Sequence, residues 1–283
     1  VLYSGSPAQG QGHETIFARI AADVFGVPPE EITVILGDTS HLTHGIGTFG
    51  SRSTVVAGGA VHRAASKLKQ MLLERASAAL EASPEDLVLT GDRIHLAGAP
   101  DRYCTLKELA AQHTDLSSTD YFLPEGPTYA NGVHICRCQI DLDLRQIKVT
   151  EYYVVHDCGT LIEPALVAGQ IHGGVLHGLS TALYEELLVD PSGQPVTTSY
   201  RDYLIPLSTD MPPITLAHLE TPSLLNPIGA KGAGEGGTIP ALAAVANAVE
   251  DALLQAEKLG LIERAPVIRE LPITPERLFR MVS

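Results

Sequence analysis

One carboxylate, Glu235, stands among five glycines, Gly229, Gly232, Gly234, Gly236 and Gly237, in the stretch from Asn226 to Thr238. Glycine gives up side-chain contacts and loses the most backbone entropy on folding, so such a run belongs where the chain bends sharply or approaches something closely. A carboxylate on such a turn is a candidate general acid or base. The plain alternative is a flexible turn with a solvated glutamate, since an isolated glycine-rich loop is a weak motif. Three more stretches combine glycines with amide, hydroxyl or basic side chains: Gln9-Gly-Gln-Gly-His13, Thr48-Phe-Gly-Ser-Arg-Ser-Thr54 and Gly169-Gln-Ile-His-Gly-Gly174. Together with Lys231–Glu235 they suit a phosphate-bearing, hydrogen-bonding ligand. Backbone amides would meet the phosphate, Gln and Ser the polar edges, and Arg52 and Lys231 would bring charge.

Helices and strands must hold these loops in place. After the Glu235 loop, Leu242, Val245, Ala246, Val249 and Leu253 keep helical spacing as far as Gly260, with Thr238 expected as N-cap and Pro240 in the first turn. The 9–13 loop runs into a helix bearing Ile16, Phe17, Ile20, Ala21 and Val24, closed by Gly26. The 48–54 loop runs into a long helical pattern from about 55 to 80, opened by small residues, and 169–174 lies inside a helix that begins after Pro164. Strands are expected at 1–5, 32–36, 133–142, 147–156 and 215–219, a hairpin at 87–96, and short helices after Thr105 and Thr274. In 133–142, residues Val133, Ile135, Arg137, Gln139 and Asp141 face away from His134, Cys136, Cys138, Ile140 and Leu142. Residues 113–130 are polar and carry Pro124, Gly126 and Pro127. The expectation is an α+β (mixed α/β) fold of two subdomains, 1–125 and 126–283, with the ligand cleft between them.

Bulk properties narrow the classes. The chain has 283 residues, 45% hydrophobic and 18% charged, as globular proteins do, with a net charge of −14 from 33 acidic and 19 basic residues. That balance argues against nucleic-acid and anionic-membrane surfaces. No apolar run reaches the ~20 residues of a membrane span. The first residues, Val-Leu-Tyr-Ser-Gly, have no initiator Met and read as a strand entered midway, as in a fragment or processed piece of a larger protein. Cys104, Cys136, Cys138 and Cys158 are too sparse for a disulfide scaffold and read as reduced thiols of a cytoplasmic protein. His172 and His177 are five apart, a poor spacing for one helix face, and no H-E-x-x-H is present, so no metal ligand is assigned. There is no P-loop, no G-x-G-x-x-G follows a strand with an acidic residue about twenty positions on, as a dinucleotide fingerprint requires, and Ser51 and Ser53 lack a G-x-S-x-G elbow. A hydrolase using Glu235 would need a second carboxylate, for which Asp157 and Asp202 are the candidates.

Five motifs in order, Gly10-Gln-Gly-His-Glu-Thr15, Gly45–Thr54, Asp157-Cys-Gly159, Gly169–Gly174 and Gly229–Gly236, resemble those of the molybdenum hydroxylases, the xanthine dehydrogenase and aldehyde oxidase family. The likeness is nearest to the large subunits of the carbon monoxide dehydrogenase-type branch and covers their C-terminal, cofactor-binding half. The resemblance implies that Gln9, Gly10 and Gln11 approach the pterin and phosphate end of a molybdenum cofactor, with Gly12 and His13 nearby. It implies that Thr48, Ser51, Arg52 and Ser53 hold the pterin and the pyrophosphate, and that Gln170 meets the pterin. Lys231 and Gly234 would shape the last loop, and Glu235 would be the active-site glutamate. The cofactor of this branch is typically molybdopterin cytosine dinucleotide, and no side chain ligates the metal.

The implied reaction is oxidative hydroxylation of a small substrate at an electron-poor carbon, with water as oxygen source and Glu235 as proton acceptor. Electrons would leave through Fe–S clusters to FAD on other domains or subunits, since the four cysteines do not make a cluster set. The implied partners are the N-terminal half of the large subunit or a separate molybdenum subunit, an iron–sulfur subunit and a FAD subunit. The alternative is a split or truncated segment that is not catalytic without the missing half, which carries most of the substrate-discriminating loops.

Overall fold

The computed structural model describes residues 1–282, and the chain forms two units with helices and sheets in both. The first comprises Val1–Tyr129 with Gly159–Pro164 and Thr221–Gly232; the second comprises Ala130–Cys158, Ala165–Glu220 and Ala233–Ser283. Two continuous subdomains were expected from sequence, but the short segments 159–164 and 221–232 return to the first unit.

In the first unit, β1 (Leu2–Ser4) pairs in parallel with β2 (Val34–Leu36) across α1 (His13–Phe25). Helix α1 forms because Ile16, Phe17, Ile20 and Ala21 recur on one buried face, and it stops where Gly26, at φ 71°, turns its N–H back to the Ala22 carbonyl. The long helix α2 (Gly59–Leu80) is entered through a π-type turn, Thr54–Gly58. A Cβ on Gly58 would lie 2.9 Å from Ile20 Cδ1, so the small residues do allow close packing, here against α1. The far half of α2 buries Leu72, Ala76 and Leu80 against Leu87, Leu89, Ile94 and Leu109. These come from the antiparallel sheet β3 (Leu87–Thr90), β4 (Arg93–Leu96) and β5 (Ala99–Thr105), and from α3 (Leu106–Gln112). Thr105 and Glu108 close α3 with a reciprocal capping box. Strand β5 escaped the sequence reading because it is an edge strand with Pro100 and mostly exposed side chains, which leaves no alternating apolar signal.

In the second unit, β6 (Asn131–Asp141) and β7 (Gln146–Asp157) form a long antiparallel pair, and β8 (Ile214–Leu219) joins β7 in parallel. The expected alternation of β6 is the observed one, with Val133, Ile135, Arg137, Gln139 and Asp141 exposed. The inner face of the sheet is covered by α4 (Pro164–Leu183), α5 (Ile239–Lys258) and α6 (Pro275–Val282). Their Ile171, Val175, Leu179, Val245, Val249, Leu253 and Leu278 pack with Tyr152 and Val154 of β7. Cys136 and Cys138 point into this core, and burial pushes their thiols up to about 12 and about 11, which leaves them protonated and inert. No disulfide joins the four cysteines. Among the described residues no helix is long and apolar enough to cross a membrane.

Candidate functional site

In the first unit the loops Gln9–His13 and Thr48–Ser53 meet. Gln9 Nε2 donates to the Thr48 carbonyl at 3.4 Å, Thr48 Oγ1 donates to the Pro7 carbonyl at 2.7 Å, and the Gln9 N–H donates to Gln11 Oε1. Gly10 and Gly12 take φ of 94° and 83°, and Gly12 is the N-cap of α1, so the loop could not keep its course with larger residues. Gln9 and Gly10 are exposed. His13 is instead turned inward: it is 4% exposed, donates from Nδ1 to the Ser6 carbonyl at 3.3 Å and packs on the Phe17 ring. Burial lowers its pKa, and the bond to Ser6 works in the raising direction.

Ser51 has φ 52°, a conformation uncommon outside glycine, between Gly50 at 61° and the helical Ser53. Gly232 lies against it: a Cβ at 232 would come within 2.6 Å of the Ser51 carbonyl oxygen. Lys231 Nζ donates to Thr221 Oγ1 at 2.9 Å. The loop is braced by Asn226, which bonds to both the N–H and the carbonyl of Ala230, and by the bridge between Gly159 and Ala230. Arg52 lays its guanidinium over the Phe49 ring at 4.5 Å, and Ser53 is buried at the entrance to the π-type turn. A cavity of about 320 Å³, lined by Gly5, Pro7, Gly37, His44, Gly45 and Gly47 among others, opens beside this loop. Open glycine loops, amide side chains and two cations fit a polar, phosphate-bearing group.

In the second unit, Gln170 is half-buried on α4, and Gly234 and Glu235 are exposed on the turn before α5. The Glu235 carbonyl accepts from the N–H groups of Thr238 and Ile239 at 3.0 and 3.1 Å, so its backbone forms the first loop of the helix. Gly237 is pressed to α4, where a Cβ would overlap the Ile171 carbonyl oxygen and lie 2.9 Å from Gly174 Cα. Thr238 occupies the N-cap position, but its hydroxyl donates to the Gly174 carbonyl at 3.1 Å and caps nothing, a correction to the sequence expectation. Glu235 therefore stands exposed on a turn whose following glycine packs closely against α4. Sequence reasoning passed over Asn226 and His156, the two buried polar residues that brace this loop and this turn; the inward alternation of β7 was the available signal for His156.

Three comparisons bear on this geometry. Residues 1–212 match the family described as molybdopterin cofactor-binding domain. The chain is 40% identical to the nicotine 6-hydroxylase large subunit of Paenarthrobacter nicotinovorans, over 99% of this chain and 35% of that protein. It is 36% identical to the carbon monoxide dehydrogenase large chain of Afipia carboxidovorans, over 88% of this chain and 32% of that one. Among solved structures it superposes on quinoline 2-oxidoreductase from Pseudomonas putida 86 with a TM-score of 0.88 and 40% identity, covering 99% of this chain and 36% of that one. The chain thus spans about a third of the length of the relatives it matches.

Proposed function

We propose, from the premise that this chain belongs to the molybdopterin cofactor-binding domain family, that it is the cofactor-binding part of a molybdenum hydroxylase and carries the catalytic base, Glu235. The observation that carries the reading is the Glu235 turn itself: an exposed carboxylate on a backbone clamped by Gly237 against α4, in a chain of this family. A general base needs a fixed position more than an unusual environment, and help of this kind accounts for about 10²–10⁴ in rate.

Gln9, Gly10, Gln11 and Gly12 offer amides to the pterin and phosphate end, with His13 holding the loop from inside. Thr48, Ser51, Arg52 and Ser53 take the pyrophosphate, where the Arg52 guanidinium can make paired, charge-assisted bonds. Lys231 adds a point charge, and Gln170 and Gly234 complete the set. The molybdenum centre, when bound, supplies the oxidation and the oxygen-transfer chemistry. Glu235 accepts the proton released as water is activated, then returns it to solvent, to which it is exposed.

We assign molybdopterin cytosine dinucleotide as the cofactor form, a cytoplasmic location consistent with four cysteines in no disulfide, and Fe–S and FAD groups on partner chains or domains. A second reading rests on the coverage of about a third: this segment folds but is not catalytic until the rest of the large subunit joins it. Elemental analysis decides between them. Stoichiometric molybdenum in the natively purified assembly, with cytidine monophosphate released by acid hydrolysis, is expected. An assembly free of molybdenum overturns the first reading, and molybdenum present in the assembly but lost by this chain on its own supports the second.

A further inference from the structure

The Glu235 turn rests on His156. This ring is 2% exposed on β7, and neither of its nitrogens has a hydrogen-bond partner among the described residues. A buried polar atom left unpaired is destabilising, and an apolar side chain of similar volume would avoid the penalty. The ring is in the direct path of the catalytic turn: a Cβ on Gly236 would overlap Nε2 and lie 2.8 Å from Cδ2. The next residue, Gly237, is held from the other side by Gly174 of α4. Glu235 is therefore followed by two glycines gripped between a strand and a helix, while its own carbonyl is engaged by Thr238 and Ile239.

His156 has two further imidazole rings near it, with the Asp157 carboxylate next to it in the chain. His218 on β8 lies across the strand pair at 6.5 Å between ring centroids, and His134 on β6 is the third member. Burial first, then His218 and His134, lower the His156 pKa, against the raising effect of Asp157. His134 is tied to the Tyr152 hydroxyl at 2.9 Å, and the Gly236 backbone acts on it as well.

We propose that His156 is the positioning residue of the Glu235 carboxylate: its imidazole is the floor on which Gly236 closes, and the thickness of that floor sets where the carboxylate stands. The role rests on Glu235 being the base. The test uses the purified protein with carbon-13-labelled glutamate, the Glu235 signal being assigned by its loss in Glu235→Gln. His156→Ala removes the floor and His156→Phe thickens it. The expected result is amide exchange at Gly236–Ile239 faster by roughly tenfold in His156→Ala, with β6 unchanged. The carbon-13 shift of the Glu235 carboxyl should change in both variants. A Glu235 signal unmoved in a folded His156→Phe overturns the proposal, and so does failure of both variants to fold, since His156 is then purely structural. Molybdenum content measured on the same preparations separates the two ideas: a metal-free wild type defeats the cofactor reading while a moved Glu235 signal still supports the positioning role.

Discussion

The 9–13 and 47–53 loops of the first unit and the 233–238 turn of the second are both rich in glycine, and the glycines solve different problems. Gly10, Gly12, Gly47 and Gly50 all take positive φ, and around Gly10 and Gly47 a Cβ would meet nothing within 4 Å. There the requirement is conformational. Gly236 and Gly237 have ordinary φ, yet a Cβ on either would collide with His156 or with the backbone of α4. There the requirement is closeness. A loop shaped by dihedrals keeps its surface open for a ligand, whereas a turn shaped by close packing holds one side chain in place. In the function proposed above, the two classes of glycine mark the loops assigned to binding and the turn assigned to catalysis.

The largest effect that can test this contrast is at the side chain the turn presents. Glu235→Gln is nearly isosteric, so cofactor content should be unchanged while substrate-driven metal reduction per molybdenum falls by ~10²–10⁴. A fall of less than about tenfold, ~1.4 kcal/mol of barrier, would remove Glu235 from the catalytic role. Next comes the turn's backbone. Gly237→Ala meets main chain on the α4 side and should lower stability by about 1–3 kcal/mol in urea unfolding. Gly10→Ala meets no neighbour and should lose about 1–2 kcal/mol through its φ alone. Replacing Gly10 by Asn, which tolerates positive φ better, should recover part of that loss; Gly237→Asn should recover none. Recovery at Gly237 would erase the distinction.

Acid should act more strongly on the second unit. His134 and His156, like His13 in the first, have pKa values lowered by burial from 6.5. In the native state such groups bind fewer protons than in the unfolded chain, so their contribution is fully present above 6.5 and declines as pH falls through that value toward the lowered ones. Urea midpoints measured downward from neutral pH should fall, and His156→Phe should flatten the fall; an unchanged slope would remove His156 as a contributor. The smallest expected effect is at Arg52→Gln, which gives up a cation–π contact with Phe49 of about 0.5–1 kcal/mol. Stability should shift within that range, and cofactor retention should become less sensitive to salt.

Much of this fold was legible because its signals are local. The 2.0-residue alternation of β6, the Thr105–Glu108 capping box and the Gly26 stop of α1 are each written within a few positions. Strand β5 was not, because an edge strand half in solvent imposes no apolar alternation on its sequence. Of the candidate site, the loops were legible from glycine and amide composition, and Glu235 from its isolation among glycines. His156 was not, because a histidine at an inward strand position looks the same whether it faces a core or the underside of the Glu235 turn.

What the sequence by itself determined was which residues the loops contain and where helices begin after them, since glycine content, caps and apolar spacing are properties of neighbouring residues. What only the tertiary structure decided was what those loops lean on. Thr238 reads as a cap in sequence but bonds to Gly174, 64 positions away, and Gly236 owes its identity to a ring on β7. Close approach between distant segments leaves no periodicity in either one, because the constraint on a residue comes from atoms that the chain brings near only by folding.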